Sequence, residues 1–545
     1  MKKLVSLIAA MVLALTALTG CNTSNGGELG SYSDRPNEVV VVFAANAFGK
    51  DWITQVAKNY MDKHNSDTYV NVKQTVIQLE DLSKIEAGIA TGDLYLLDCH
   101  TEEKIGYFED ISDVYESYPI GETEKTVREK LPDMYYDYFK SAGAEKYIMP
   151  KKSINGGFNF AYNKTVLDEF MPEGYSIPRT TDEFIAMGNA LKGKAYLLVC
   201  SFGEASTEYS SYMLNAWFAQ LLGYETYQNY MNGRYYDEAT GKYIFDESAP
   251  TVYIKNKEAV KDYYSIIESI YSKENGYLHA DTTAIGAMEG EAVLAGYGFG
   301  QNLTPAAFMV QGSYYEQEAG WMLEEKKAAG DEQEIGFMQI PIASAIIKRT
   351  PSIPNDNKLR EVIDYVDKKL AGDTTAVAPS GVTAEDIAII EDARQICGTY
   401  RADGMVVPKC ASNKEGAKEF MRYLASDEAA VIAAKYTNGL NFLPFGKRVS
   451  EAELGFERST FIKEANVVGD RATKVCSSDA QEYLFTYVNG FGVGPGSPGL
   501  LTGLYNGKNS YTAESFYKKS YDYLVLRWKQ FVEAYKTRGG STANA

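Results

Sequence analysis

The chain contains 545 residues, of which 45% are hydrophobic and 23% are charged. This composition can build large packed cores and excludes a wholly disordered chain. The 54 basic and 73 acidic residues leave a net charge of −19, which argues against nonspecific nucleic-acid binding because phosphate backbones demand a concentrated positive surface. Only 3 His residues are present, which leaves little room for a histidine-rich metal site. We also expect no cofactor.

The N-terminus has the layout of a secretory signal. Met1-Lys2-Lys3 is a short basic start, and an apolar stretch runs from Leu4 to Leu18. Leu18-Thr19-Gly20-Cys21 then resembles a bacterial lipobox, whose Cys becomes lipidated and forms the mature N-terminus. We predict a signal peptide over 1–20, lipidation at Cys21 and a flexible tether over 21–36. An ordinary signal peptide cleaved nearby and an uncleaved anchor are the alternatives.

The remaining cysteines have no CxxC spacing, which disfavours zinc-binding and thioredoxin-like interpretations. They are Cys99, Cys200, Cys397, Cys410 and Cys476. Cys397 and Cys410 could pair in an exported protein, but we favour isolated buried thiols.

The first part of the chain alternates strands and helices. The pattern predicts strands over 38–43, 69–77 and 94–97, with helices over 51–64 and 81–90 between them. Strand, helix, strand, helix, strand implies right-handed parallel crossovers and an α/β lobe.

In such sheets, ligands bind beyond the carboxyl ends of the strands. Asn46 and Phe48 follow the first strand, and Asp98 and His100 follow the third. Asp98 is the main candidate for accepting a hydrogen bond from a ligand, although an Asp at this position could instead cap the next helix. His100 could equally be a plain loop histidine.

A second run of elements begins near residue 155. We predict a strand over 158–162, helices over 180–191 and 208–222, a strand over 292–297 and a C-terminal helix over 512–535. The strand at 292–297 is expected to end in Tyr297-Gly298-Phe299-Gly300.

Several segments, taken in order, resemble the bacterial extracellular solute-binding proteins of family 1, the carbohydrate-binding lipoproteins of ABC importers. Ala87 to Asp93 resembles the small-residue turn of that family, and Phe160 to Lys164 contains its YNK tripeptide. Pro178 to Phe184 resembles its P-x-T-W-D-E-F motif, with Thr181 in place of Trp. Met288 to Leu294 and Asn413 to Phe420 resemble a later strand entry and a helix start.

The resemblance implies a two-lobed periplasmic-binding-protein-like fold, with two α/β lobes, a hinge and a central ligand cleft. Lobe 1 would comprise 37–150 and 345–454, and lobe 2 would comprise 151–344 and 455–545. The implied function is capture of a carbohydrate, an oligosaccharide, in the cleft and its delivery to the membrane permease subunits of an ABC importer. The protein would be a monomer with no enzymatic activity, lipid-anchored on the extracytoplasmic face of the cytoplasmic membrane.

Further candidates for the cleft come from the resemblance and from an Asn-containing turn. Tyr297 and Phe299 match the aromatic position after one of the family's strands and could stack on a sugar, the alternative being core packing. Asn438, Asn441 and Phe442 lie in a Gly-containing turn, and they either face the cleft or shape the turn.

Three rival functions remain open at this stage. An exported glycoside hydrolase would need two suitably spaced carboxylates, and the chain contains none of the GxSxG, HExxH or Walker motifs. A binding protein for peptides or another solute could use the same fold. A surface adhesin or sensor partner would not transport at all.

Overall fold

The structure is a computed structural model that describes residues 29–44, 47–98, 101–141, 143–200, 208–399, 403–477, 484–489, 498–506, 512–537 and 540–543. Cys21, Asn46, Cys99 and His100 lie outside the described residues.

The strands are short and lie mostly in two sheets. Their bounds are β1 Asn37–Ala44, β2 Thr68–Thr75, β3 Leu94–Leu97, β4 Met149–Pro150, β5 Asn159–Asn163, β6 Tyr196–Val199, β7 Arg234–Asp237, β8 Lys242–Phe245, β9 Ala306–Gln311, β10 Ile335–Met338, β11 Ile396–Thr399, β12 Gly404–Val406 and β13 Lys474–Ser477.

The helices cover the faces of these sheets and make up the C-terminal part. Their bounds are α1 Asp51–Lys63, α2 Gln78–Glu86, α3 Ser112–Glu116, α4 Val127–Lys130, α5 Asp133–Ser141, α6 Lys164–Phe170, α7 Thr181–Leu191, α8 Glu208–Leu222, α9 Tyr224–Met231, α10 Thr251–Lys255, α11 Lys257–Tyr271, α12 Ala287–Leu294, α13 Tyr315–Ala328, α14 Asp356–Leu370, α15 Ala384–Gln395, α16 Lys414–Leu424, α17 Asp427–Lys435, α18 Glu451–Leu454, α19 Thr460–Arg471, α20 Leu484–Asn489, α21 Pro498–Asn506 and α22 Ala513–Thr537.

Lobe 1 is built on a sheet of order β2-β1-β3-β12-β4. Strands β1, β2 and β3 are parallel, and β12 runs antiparallel to both β3 and β4. The Val-rich β1 is buried from Val39 to Ala44, as expected for a strand covered on both faces. The strands and helices predicted for this region are therefore confirmed, with end shifts of a few residues.

Lobe 2 is built on a sheet of order β10-β5-β9-β6. Strand β5 is antiparallel to β9 and β10, while β6 is parallel to β9. Thr180 caps the N-terminus of α7, since its hydroxyl accepts a 3.2 Å hydrogen bond from the Glu183 backbone amide. Predicted helices over 208–222 and 512–535 correspond to α8 and α22.

Chain connections and one part of the hydrophobic core join the two lobes. The chain passes from β4 in lobe 1 to β5 in lobe 2, returns to lobe 1 between β11 and β12, and crosses to lobe 2 again between α18 and α19. One buried cluster includes Trp52 and Phe442 on the lobe 1 side and Tyr315 and Phe337 on the lobe 2 side. Among the described residues, no helix combines the length and apolar character needed to span a bilayer.

The structure corrects two predictions. Residues 292–297, predicted as a strand, include the end of helix α12, because Gly290, Glu291, Val293 and Leu294 form a buried helical face. The segment 345–399, assigned to lobe 1 from the sequence, packs on lobe 2. Lys348 pairs with Asp262 of α11 at 2.6 Å, and the Thr180 hydroxyl donates to Asp356 of α14 at 2.6 Å.

Candidate functional site

One end of the lobe 1 sheet faces one end of the lobe 2 sheet. In lobe 1, the register brings Leu97, Gly404 and Pro150 together at one edge. In lobe 2, Asn159 pairs with Gln311 at the edge where β5 begins. Since the first two connections between the lobes leave from these ends of the sheets, the space between them is the natural place for a ligand.

A narrow pocket, partly open to solvent, lies between these ends of the sheets. Its lining combines Phe48 of lobe 1, Phe158 of the first connection and Tyr314 of lobe 2. The ring centroids of Phe48 and Tyr314 are 6.3 Å apart, and those of Phe158 and Tyr314 are 6.4 Å apart, both with rings near perpendicular. Further residues from lobe 2 and from the first two connections complete the lining: Lys152, Ser153, Ile154, Gly157, Gly312, Ser313, Thr399 and Asp403.

The aromatic wall extends beyond the pocket into lobe 2. Phe158 stacks on Tyr209 and on Tyr212 of α8, with centroid distances of 4.8 and 5.0 Å. On the lobe 1 side, the Phe48 ring packs edge-on to Phe442 at 4.8 Å. Rings from both lobes therefore converge at the interlobe pocket, where Phe158 is covered by the two tyrosine rings.

Four charged side chains lie at the lobe 1 end of the pocket. The Lys151 ammonium pairs with Asp98 at 2.5 Å, and that of Lys152 pairs with Asp403 at 2.6 Å and lies 3.7 Å from Asp98. Their side chains are between 2% and 10% exposed. Charges this buried persist because each ammonium has a carboxylate beside it.

Burial and charge act in opposite directions on the two carboxyl groups. Burial raises the pKa of Asp98, but Lys151 and Lys152 outweigh it and the pKa lies below its usual value. Burial raises the pKa of Asp403 to about 7, where the attraction of Lys152 does not compensate and Asp98 adds repulsion. Asp403 is thus the carboxyl group of this cluster that can exchange a proton near neutral pH.

The first connection has an unusual backbone. Asn155, Gly156 and Gly157 have φ values of 45°, 84° and 71°, three consecutive left-handed residues. A side chain at Gly157 would place its Cβ 2.4 Å from the carbonyl oxygen of Gly398 in the second connection. Glycine is required there because the two connections run in direct backbone contact, with the Phe158 amide donating to Gly398 at 2.8 Å.

Two predicted site residues lie at this pocket. Phe48 lines it directly, and Asp98 belongs to the charge cluster through Lys152. Asp98 does not cap the next helix, and its carboxylate is engaged by lysine rather than open to a ligand. Ligand binding by either residue stays a prediction.

The structure does not bring Tyr297 and Phe299 to the pocket. Phe299 bridges to Asn302, whose side-chain amide lies 3.5 Å from the Tyr196 hydroxyl at the first residue of β6. That is the end of the lobe 2 sheet opposite to Gln311 and the connections. Both rings are partly buried against the core, which corresponds to the core-packing alternative.

The turn that contains Asn438 and Asn441 belongs to lobe 1 and lies away from the pocket lining. Asn438 is exposed with a left-handed φ of 54°, so it shapes the turn. The Asn441 side-chain oxygen accepts from the Val449 amide at 3.2 Å, and its backbone amide donates to Asn466 at 2.8 Å. Neither side chain is among those that line the pocket.

Sequence reasoning missed Lys152, Asp403, Phe158 and Tyr314 as site residues. A signal for Lys152 was present, since Lys151-Lys152 is a charged pair placed between a buried strand and the first connection. Tyr314 lies shortly after the end of β9, just as Phe48 lies shortly after the end of β1. It was missed because β9 was not predicted. Within the described ranges, no three His, Cys, Asp or Glu side chains are grouped as metal ligands would be.

Comparison with known families decides the relationship of this chain. Residues 55–454 match the family described as bacterial extracellular solute-binding protein. The chain belongs to this family. Membership implies an extracytoplasmic location, and the family consists of binding proteins rather than enzymes. No curated protein matches the chain.

Solved structures of solute-binding proteins share the two-lobed fold at low sequence identity. The bacterial solute receptor AcbH, with a preference for β-D-galactopyranose, superposes with a TM-score of 0.53 and 12% identity, covering 90% of this chain and 100% of its own. RafE, known from Streptococcus pneumoniae, in complex with raffinose gives 0.50 and 13% over 90% and 99%. The cyclic α-maltosyl-1,6-maltose binding protein of Arthrobacter globiformis gives 0.51 and 14% over 91% and 100%.

Proposed function

We propose that this solute-binding protein captures a carbohydrate, most specifically an oligosaccharide, in the interlobe pocket and delivers it to the permease subunits of an ABC importer. One observation carries the proposal. Rings from both lobes and the first connection line a pocket that also presents a buried ammonium and carboxylate, Lys152 and Asp403. Sugars offer apolar C–H faces to rings and hydroxyl groups to charged acceptors and donors.

The placement of these groups explains how binding would drive closure of the lobes. Phe48 belongs to lobe 1 and Tyr314 to lobe 2, so a ligand held by both rings favours the arrangement in which both are near. The left-handed segment of Asn155 to Gly157 in the first connection is a suitable place for the backbone rotation. The named sugar ligands of structural neighbours with this fold support the carbohydrate assignment.

The proposed location is the extracytoplasmic face of the cytoplasmic membrane, with Cys21 as the lipid attachment point. The support is the Leu18-Thr19-Gly20-Cys21 sequence behind a basic and apolar leader. The Cys21→Ala variant is expected to be released from the membrane or left unprocessed. Unchanged acylation and membrane retention would contradict this assignment.

A thermal-shift screen with oligosaccharides and peptides tests the ligand class. A sugar should raise the melting temperature, and Tyr314→Ala should weaken its binding by about 1–3 kcal/mol because a stacking face is lost. Tyr297→Ala is the matched control, since that ring lies at the far end of the sheet. Stabilisation by peptides alone would favour the alternative of a peptide-binding protein.

The same purified protein tests the alternative of a glycoside hydrolase. We expect sugars that bind to remain intact over long incubation, as measured by chromatography. Cleavage that disappears on substitution of Asp403 by Asn would identify an enzyme instead.

A further inference from the structure

Two carboxyl groups lie side by side behind the lobe 2 wall of the pocket. The carboxyl groups of Glu291 of α12 and Glu318 of α13 lie within hydrogen-bonding reach of each other. Glu291 is only 4% exposed, and its carboxyl oxygen accepts a 2.8 Å hydrogen bond from the side-chain Nε2 of Gln311. Two adjacent carboxyl groups can hydrogen-bond to each other only when one of them holds a proton.

This pair is connected to the pocket wall at both ends. The side-chain oxygen of Gln311 accepts from the backbone amide of Gly312 at 2.8 Å, and Gly312, Ser313 and Tyr314 form the wall. At the other end, the Glu318 amide donates to the Tyr314 carbonyl at 3.2 Å. The wall is therefore bounded by Gln311 on one side and by the first turn of α13 on the other.

The surroundings of the pair favour the shared proton. Burial raises the pKa of Glu291 to about 9, with repulsion from Glu318 adding to it, and burial also raises the pKa of Glu318. Lys152 of the first connection acts on Glu318 and favours its charged form. From α13, Tyr315 donates its hydroxyl to the Glu291 carbonyl at 3.2 Å, and the nearby carboxyl of Glu316 is bound by Ser459 at 2.8 Å.

We propose that Glu291 and Glu318 are a positioning pair for the pocket wall over 312–314, and that ligand binding is coupled to the proton they share. This inference rests on the proposed function in that it assigns a role to the same pocket. Loss of the proton places two negative charges side by side in a buried site. Their repulsion separates α12 from α13 and displaces Gln311, and with it the wall.

The sign of the coupling follows from this arrangement. Affinity for the ligand is highest while the proton is present and falls as pH rises through the titration of the pair. A ligand that covers the wall excludes water and disfavours the doubly charged state further. Binding at alkaline pH is then accompanied by proton uptake, because a proton that raises the affinity for the ligand is itself bound more tightly when the ligand is present.

Hydrogen–deuterium exchange of the ligand-free protein tests the positioning role without any ligand. Relative to intrinsic exchange, protection of the 312–314 amides should fall by about tenfold or more between neutral pH and about pH 10 in the native chain. Glu291→Gln keeps the hydrogen bond but cannot ionise, so the protection should then be independent of pH. Glu318→Gln should behave in the same way and serves if the first variant does not fold.

Glu324→Gln, on the exposed face of the same helix α13, is the matched control and should follow the native pH profile. Glu291→Ala should lower protection at every pH. An unchanged pH profile in both Gln variants, or native protection that does not fall with pH, overturns the proposal.

Titration calorimetry with raffinose as the probe, in two buffers of different ionisation enthalpy, measures the proton uptake. Proton uptake that Glu291→Gln abolishes supports the coupling, and raffinose binding without pH dependence overturns it. If raffinose and the other sugars do not bind, the proposed function fails, while the exchange experiment still decides the positioning role.

Discussion

The buried charges at the floor of the pocket show how burial sets the behaviour of single residues. Lys151 is 2% exposed and sits between Asp98 and the carbonyl oxygen of Ala44. Burial lowers its pKa, and the neighbouring carboxylates of Asp98 and Asp403 oppose that shift. Such a pair contributes little net stability, but removal of one partner leaves the other charge without compensation.

We therefore expect Lys151→Met to destabilise the protein by about 3–5 kcal/mol, because Asp98 would lose its closest cation. Urea unfolding monitored by circular dichroism measures this change. Lys146→Met, at an exposed position shortly before, should change the free energy of unfolding by less than about 0.5 kcal/mol. If Lys151→Met lowered the free energy of unfolding no more than Lys146→Met, the ion pair of Lys151 with Asp98 would not contribute to stability.

Asp403 predicts a pH dependence with a defined sign. Its pKa is raised in the folded chain from 3.8 to about 7, so the folded state binds the proton more tightly than the unfolded state. The free energy of unfolding therefore declines as pH rises from the lower to the upper value. Asp403→Asn should flatten this slope.

Urea titrations at a series of pH values measure the Asp403 effect. Asp133→Asn is the control, since that carboxylate is 81% exposed and should leave the slope as it is. A slope that persists unchanged in Asp403→Asn would assign the titration to other groups.

The element that most departs from expectation is the helical hairpin of α14 and α15. Its apolar residues form their own cluster with Ile342 and Ile346, including Leu359, Val362 and Ile390. The carboxylate of Asp367, which is surrounded by arginine side chains, holds the hairpin against lobe 2. Asp367 of α14 binds Arg394 through both oxygens at 2.8 and 2.9 Å, and also pairs with Arg471 at 3.1 Å and Arg179 at 3.3 Å.

Asp367→Ala is expected to cost about 3–5 kcal/mol, because three guanidinium groups lose a shared buried counter-charge. Thermal unfolding by calorimetry should show a lower midpoint, and limited proteolysis should cut within 345–399. The pKa of Asp367 is held low, although burial opposes it, by Arg394, Arg471 and Arg179. Its contribution should accordingly be lost as pH falls through that lowered value.

Asp364→Ala, one turn earlier on the same helix, provides the comparison. Asp364 is 46% exposed and 3.8 Å from Arg179, so its loss should cost less than about 1 kcal/mol. If Asp367→Ala were equally mild, the hairpin would be held by its apolar contacts alone.

At the scale of the whole molecule, the first two connections between the lobes pack against their surroundings through glycine. A Cβ at Gly398 would lie 1.8 Å from the carbonyl oxygen of Tyr212. We expect Gly398→Ala to destabilise the protein by about 1–3 kcal/mol or more, because α8 must move away. Gly320→Ala, in α13 with open space around it, should instead stabilise by about 0.5–1 kcal/mol.

Small-angle X-ray scattering tests the relation between the connections and lobe closure. With the sugar that gives the largest thermal shift, the radius of gyration of the native protein should decrease. Gly398→Ala should reduce or abolish this decrease while the sugar still stacks on Tyr314. An unchanged radius on saturation of the native protein would contradict closure.

The local pattern of the sequence was sufficient to predict most elements. It was also sufficient to select Phe48, which lines the pocket. Val-rich β1 and the helical spacing of Trp52, Ile53 and Val56 depend on neighbouring residues only, and each was predicted close to its observed bounds. Residues 292–297 were predicted wrongly because Ala292, Val293 and Leu294 are apolar in sequence and suit either a strand or a buried helix.

The sequence alone was enough to establish the α/β class, the order of most elements in lobe 1 and the family to which the chain belongs. These depend on periodicity, capping and motif order, which are local properties. Only the tertiary structure decided which strand ends meet. It brought Phe48, Phe158 and Tyr314 to one pocket and left Tyr297 and Phe299 at the opposite end of the lobe 2 sheet. The physical reason is that sheet order and strand direction set these distances, and both arise from pairing between segments far apart in the chain.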